Sequence, residues 1–195
     1  MKRSLDSRVD YSLLLPVFFL LVIGVVAIYI AVSHDYPNNI LPILGQQIAW
    51  IALGIVISFV VMLFNTEFLW KVTPFLYIFG LGLMVLPIVF YNPSLVASTG
   101  AKNWVSINGI TLFQPSEFMK ISYILILARL IVQFTQKHKD WRRTIPLDFL
   151  LIVWMIAFTI PVLILLALQS DLGTALVFVA IFSGMVLISG VSWKI

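Results

Sequence analysis

The chain has 195 residues, 62% of them hydrophobic and only 10% charged, with a formal net charge of +4 and a mean hydropathy of +1.09. No soluble domain of this size has enough interior to hide so much apolar surface. The lack of cysteine excludes disulfides and thiolate chemistry.

Six apolar stretches follow one another, at residues 11–32, 42–64, 72–91, 115–133, 147–168 and 172–192. Each is long enough to cross a hydrocarbon core of about 30 Å as a helix rising about 1.5 Å per residue. The expected fold is all-α, a polytopic transmembrane helical bundle read as one membrane domain over 1–195. Lys2, Arg3 and Arg8 precede the first stretch as they would a secretion signal. Its apolar run is too long for a signal core of about 7–15 residues, so it is read as a retained span. Pro16, Gly24, Gly54, Gly80, Gly82 and Pro161 fall inside spans, where membrane helices tolerate them. The connection 33–41 is short and carries Asp35, Pro37 and Asn38-Asn39. Glu67 sits at the inner end of its helix.

The connection 92–114 is the longest. Within it, Trp104-Val105-Ser106-Ile107 and Ile110-Thr111-Leu112-Phe113 flank Asn108-Gly109. Asn-Gly is the strongest short turn signal, since both central residues need positive φ, and a tight hairpin is expected. Trp104 would lie at headgroup level, where indole is favoured, and an interfacial anchor accounts for it without any function.

Pro115 suits the first position of the fourth span, because its missing N–H costs nothing there. Ser116 and Glu117 then fall in the first turn, where the helix dipole favours a carboxylate. Lys120 lies a turn deeper on the same face, within pairing reach of Glu117. A charge inside a bilayer costs about 2.5–3.5 kcal/mol on insertion scales, so the pair calls for a salt bridge, a polar cavity or chemistry. A structural ion pair with Lys120 extended toward the interface is the plain alternative. Arg129 is expected to reach for the cytoplasmic interface in the same way. Asp148 opens the fifth span at its inner end. The last connection, Gln169-Ser170-Asp171-Leu172-Gly173-Thr174, places Asp171 as an N-cap for the sixth span.

Lys2, Arg3, Arg8, Lys71, Lys137, Lys139, Arg142, Arg143 and Lys194 fall on one side of this arrangement, and Lys102 alone on the other. The asymmetry predicts a cytoplasmic N-terminus. The basic charge therefore reports topology and contact with anionic lipid headgroups, not nucleic acid. The run from Lys137 to Arg143 reads as a solvated inner loop. Neither His34 nor His138 has a metal-ligand partner at useful spacing, so no cofactor is evident and a divalent cation has no support. Spans four and six both begin on the outer side, so Glu117, Lys120 and Asp171 can converge at one outward mouth. Two carboxylates beside an ammonium suit deprotonation of a sugar hydroxyl and stabilisation of a departing diphosphate.

At these residues the chain resembles a known family. Gly100-Ala101-Lys102-Asn103-Trp104-Val105, Gln114-Pro115-Ser116-Glu117 with Lys120, and Gln169-Ser170-Asp171-Leu172-Gly173-Thr174 are similar, in order and in place, to motifs of the SEDS family. That family holds the rod-shape, division and sporulation proteins of bacterial cell-wall synthesis, and the likeness is nearer the rod-shape branch of Gram-positive bacteria. The resemblance implies a multi-pass protein of the bacterial cytoplasmic membrane that polymerises lipid II, a peptidoglycan glycosyltransferase, beside a class B penicillin-binding protein. It implies catalytic roles for Glu117, Lys120 and Asp171, with Lys120 on the diphosphate and Glu117 in positioning or proton transfer. Lys102, Trp104, Gln114 and Ser116 would contact substrate. Two departures stand out. The family usually has proline where this chain has Ser170, which would loosen a turn. Members also have about ten spans, and a later outer loop carries the aspartate regarded as central. The chain is thus expected to be the N-terminal half of such a protein, inactive alone.

Two other functions fit the same residues. One is a transporter that flips the lipid-linked precursor; transporters commonly bind substrate near the midplane on broken helices. Here the ionisable residues gather within about two turns of the outer surface, which favours outward chemistry. The other is a non-catalytic scaffold that recruits a transpeptidase through apolar helix faces.

Overall fold

A computed structural model describes residues 11–35, 37–107, 110–137 and 145–191. Lys2, Arg3, Arg8, Asn108-Gly109, His138, Lys139, Arg142, Arg143 and Lys194 lie outside the described residues, and with them the expected turn and most of the inner-side charge. The chain divides into two compact units, Met1–Thr66 and Glu67–Ile195. Among the described residues, six helices are long and apolar enough to cross a membrane.

The first unit contains α1, Tyr11–Asp35, and α2, Ile40–Leu63, joined through a single 3-10 turn at Pro37–Asn39. The two helices pack on each other, yet α2 buries no residue. Helices apolar on every side belong in lipid, where acyl chains solvate leucine as well as protein does. Unbroken runs of Leu, Val and Ile give them that character, and α2 stops where Phe64 turns extended.

The second unit carries the core. Its elements are α3 (Thr66–Val89, opening at the boundary), a short α4 (Pro93–Thr99), β1 (Val105–Ile107), β2 (Ile110–Phe113), α5 (Pro115–Lys137), α6 (Ile145–Leu168) and α7 (Leu172–Ser189). α4 was not expected from hydropathy, but its caps are explicit. The Asn92 side chain accepts from the Ser94 N–H, Pro93 takes the first turn, and Gly100 closes the helix at φ 75°. The two strands pair antiparallel, Ile107 opposite Ile110, with a bulge between Val105 and Ser106.

α5, α6 and α7 pack on one another around Met119, Tyr123, Leu127, Leu151, Met155, Val162, Leu166 and Phe178, all fully buried, with Met84 of α3 in the same cluster. Gly80 lets α3 approach α5, because a Cβ there would stand 2.7 Å from the Met119 sulfur. Tyr123 donates or accepts with Thr159 at 2.6 Å, satisfying two buried hydroxyls across α5 and α6.

Each proline inside a helix of this unit stands three or four residues after a carbonyl that takes a donor from elsewhere in the unit. Pro74 has no N–H for the Trp70 carbonyl, and the Arg129 guanidinium of α5 donates to that oxygen instead. Before Pro87, the Met84 carbonyl accepts from Gln169 Nε2 at 2.5 Å; before Pro161, the Phe158 carbonyl accepts from the Tyr77 hydroxyl at 2.5 Å. Neighbouring side chains thus take up polar groups that lipid could not satisfy. Arg129 is accordingly tied to α3 rather than extended freely to the interface.

α6 passes into α7 through a turn of two hydrogen bonds. The Ser170 N–H reaches the Ala167 carbonyl and the Asp171 N–H reaches the Leu166 carbonyl, both at 3.0 Å. This is the Schellman pattern, and it puts Ser170 at φ 57°. The turn is therefore not loosened by serine. Proline, locked near φ −65°, cannot adopt this geometry and would remove one of the two bonds. Ser170→Gly is expected to raise stability by about 0.5–1 kcal/mol. Ser170→Pro should cost about 3 kcal/mol or force another turn. Thermal unfolding of the purified variants in detergent checks both.

Candidate active site

Four chain segments meet where the helices α3, α5 and α7 have their ends. The Lys102 N–H donates to the Gln169 carbonyl at 2.8 Å, and the Ser106 N–H to the Phe90 carbonyl at 3.0 Å. These bonds tie the connection 92–114 to the end of α3 and to the α6–α7 turn. Gln169 is itself buried and acts as a strut between that turn and α3.

Asp171 is the centre of the arrangement. One carboxylate oxygen accepts the Thr174 N–H at 3.0 Å, the N-cap bond expected from sequence. The other accepts Asn103 Nδ2 at 2.8 Å, the Thr174 hydroxyl at 2.7 Å and Gln114 Nε2 at 3.5 Å. Burial pushes the carboxyl pKa up, but the bonds from Thr174, Asn103 and Gln114 outweigh it and hold the group below its ordinary value. A carboxylate so engaged is a poor proton acceptor near neutrality. Its position fixes Gln114, the residue immediately before α5.

α5 then opens as the sequence predicts, on Pro115, with Glu117 in its first turn. Lys120 Nζ lies 2.7 Å from Glu117 Oε2. The two side chains differ in exposure, 61% for Glu117 against 26% for Lys120, so the carboxylate faces outward and the ammonium sits a turn deeper. A pair with one partner this exposed contributes little to folding, about 0.5 kcal/mol or less, with Glu117 open to a ligand and Lys120 partly so.

The remaining candidates separate. Lys102 Nζ lies over the Tyr91 ring, 4.5 Å from its centroid, and the half-exposed Trp104 leads into β1. Ser116 is buried at 2% exposure, and its hydroxyl finds no partner among the described residues. Asp171 and Gln114 share one network; Glu117 and Lys120 form a separate pair three residues further along the chain. Sequence reading left Asn103, Gln169 and Thr174 out of the site, although all three stand in the quoted motifs. The available signal was a polar run, Gln169-Ser170-Asp171, between two apolar spans: buried polar groups at such a junction need partners.

The FTSW_RODA_SPOVE family, described as "Cell cycle protein", matches residues 11–195. A "Probable peptidoglycan glycosyltransferase FtsW" of Nitrosomonas europaea is 27% identical over 198 residues, covering 98% of this chain and 48% of that protein. The "Peptidoglycan glycosyltransferase RodA" of Treponema pallidum is 29% identical over 184 residues, covering 94% and 39%. The "Peptidoglycan glycosyltransferase MrdB" of Escherichia coli K12 is 30% identical over 188 residues, covering 96% and 46%. The chain spans less than half the length of each of these relatives. No solved structure matches it.

Proposed function

The chain belongs to the FtsW/RodA/SpoVE family, and on that footing we propose that the protein it forms is a peptidoglycan glycosyltransferase of the bacterial cytoplasmic membrane. It polymerises lipid II at the outer face, with the N-terminus of this chain on the cytoplasmic side. The observation that carries the reading is the Glu117–Lys120 pair at the start of α5, accessible and close in sequence to the network that holds Gln114 and Asp171.

In the reaction a sugar hydroxyl attacks the anomeric carbon of a second lipid-linked saccharide. The bond from that carbon to the diphosphate breaks, its electron pair stays on the phosphate oxygen, and the hydroxyl proton passes to a base. Lys120 meets the diphosphate and stabilises the charge that grows on it. A diphosphate competes with Glu117 for that ammonium, which frees the Glu117 carboxylate to orient the hydroxyl or take its proton. Asp171 is a positioning residue: it fixes the start of α7 and, through Asn103 and Gln114, the approach to α5. Lys102, Trp104 and Gln114 line the approach of the substrate, while Ser116, buried at the start of α5, is too enclosed to touch it. A class B penicillin-binding protein is the proposed partner, on the family resemblance.

The test uses the complete reading frame that encodes this chain. Purified protein given lipid II is expected to yield glycan strands. Movement of the precursor across vesicles with no polymer would overturn the reading in favour of transport. Partner binding without turnover would favour a scaffold.

A further inference from the structure

Arg129 lies 12 residues beyond Glu117 on α5, about 18 Å along the helix axis, well away from the candidate active site. It is half-buried, donates to the Trp70 carbonyl and lies over the Trp70 ring, 5.7 Å from its centroid. A guanidinium has five N–H donors, so most remain after that bond. Among the described residues no carboxylate lies within ion-pair distance of it. Arg129 lines a groove of about 300 Å³ between α3, α5 and α6, together with Gln133. The other walls are Pro74, Ile78, Ile126, Leu130 and Phe158, with Tyr77, whose hydroxyl is already bonded to the Phe158 carbonyl.

A cation without a counter-ion is costly in a spanning helix, and it is satisfied most directly by an anion that the surroundings supply. The groove has the pattern of an amphiphile, with cation and amide at one part and hydrocarbon walls at the rest. We propose that it binds one anionic phospholipid of the surrounding membrane. The phosphodiester sits on Arg129 and Gln133, and an acyl chain runs along Ile78, Ile126, Leu130 and Phe158. Ile78, 66% exposed, leaves the groove open on the side from which such a chain enters. The apolar walls select a lipid over a soluble phosphate, and a guanidinium with no carboxylate partner among the described residues selects an anionic headgroup over a zwitterionic one. The site is independent of the glycosyltransferase reading.

The test titrates the purified chain in mild detergent with phosphatidylglycerol or phosphatidylcholine and counts retained lipid by native mass spectrometry. One phosphatidylglycerol is expected to be held about tenfold more tightly than phosphatidylcholine, in the range of a charge-assisted hydrogen bond. Arg129→Gln should erase that difference and Arg129→Lys should keep most of it. Because Arg129 also satisfies the Trp70 carbonyl, Arg129→Gln alone risks unfolding. Ile78→Trp fills the groove with Arg129 left in place, and it too should weaken retention. Equal retention of the two lipids by the parent chain overturns the proposal, as does unchanged phosphatidylglycerol binding in Ile78→Trp. Competition by glycerol phosphate as effective as the lipid itself would also overturn it, since the site would then be one for soluble phosphate.

Discussion

Lys120→Ala in the complete reading frame is expected to lower lipid II polymerisation about 100-fold or more while leaving the fold intact. The magnitude follows from what one preorganised electrostatic contact to a developing charge contributes, about 10²–10³ in rate. The prediction separates two accounts of one ion pair. If Lys120 serves only to hold Glu117 2.7 Å away, its loss costs about 0.5 kcal/mol or less in stability and polymerisation persists. If it contacts the diphosphate, rate falls and thermal unfolding barely moves. Full activity in Lys120→Ala would sink its catalytic role.

Asp171→Ala should behave in the opposite way, with stability failing first. The change removes an N-cap bond and leaves the Asn103 and Gln114 amides and the Thr174 hydroxyl without their shared acceptor. An N-cap contributes about 0.5–2 kcal/mol, and a buried donor left unmade costs about 1–3 kcal/mol, so a loss of about 2–4 kcal/mol is expected. The folded carboxyl titrates below its ordinary value of 3.8. The stabilisation is therefore complete above that pH and disappears as pH falls through the lower, folded value. Thermal unfolding of parent and Asp171→Asn from pH 7 to pH 3 checks the sign. The parent should lose stability at the acid end faster than the variant, which has no carboxyl to titrate. Equal stability of parent and Asp171→Ala at pH 7 would remove the positioning role.

The spans were legible because hydropathy reports the hydrocarbon slab, yet several of their ends were misplaced, and where charged residues flank a span it was read short. α3 begins at Thr66 rather than near residue 72, and α5 runs to Lys137 rather than to about 133. Glu67, Lys71 and Lys137 dilute hydropathy without stopping backbone hydrogen bonding, so helix continues where membrane does not. α4 was missed for the same reason, although Asn92-Pro93 and Gly100 spell out both of its ends. In the candidate site, the Glu117–Lys120 contact was readable because i,i+3 proximity is local helix geometry. The bonds from Asn103 and Gln114 to Asp171 span 68 and 57 residues. No periodicity encodes such contacts; they exist only once three helix ends have met.

The prolines carry a consequence for how such a protein is made. Spans leave the ribosome in chain order, so α3 reaches the bilayer before α5 and before Gln169 have been synthesised. Its Trp70 and Met84 carbonyls then have neither Arg129 nor Gln169 to meet them. By contrast, when α6 arrives, the Phe158 carbonyl finds Tyr77 already in place. α3 is therefore the span least able to stand alone in lipid, and its release from the insertion machinery is best delayed until its later partners emerge. The order of synthesis makes α3 the client and the following helices its clamps.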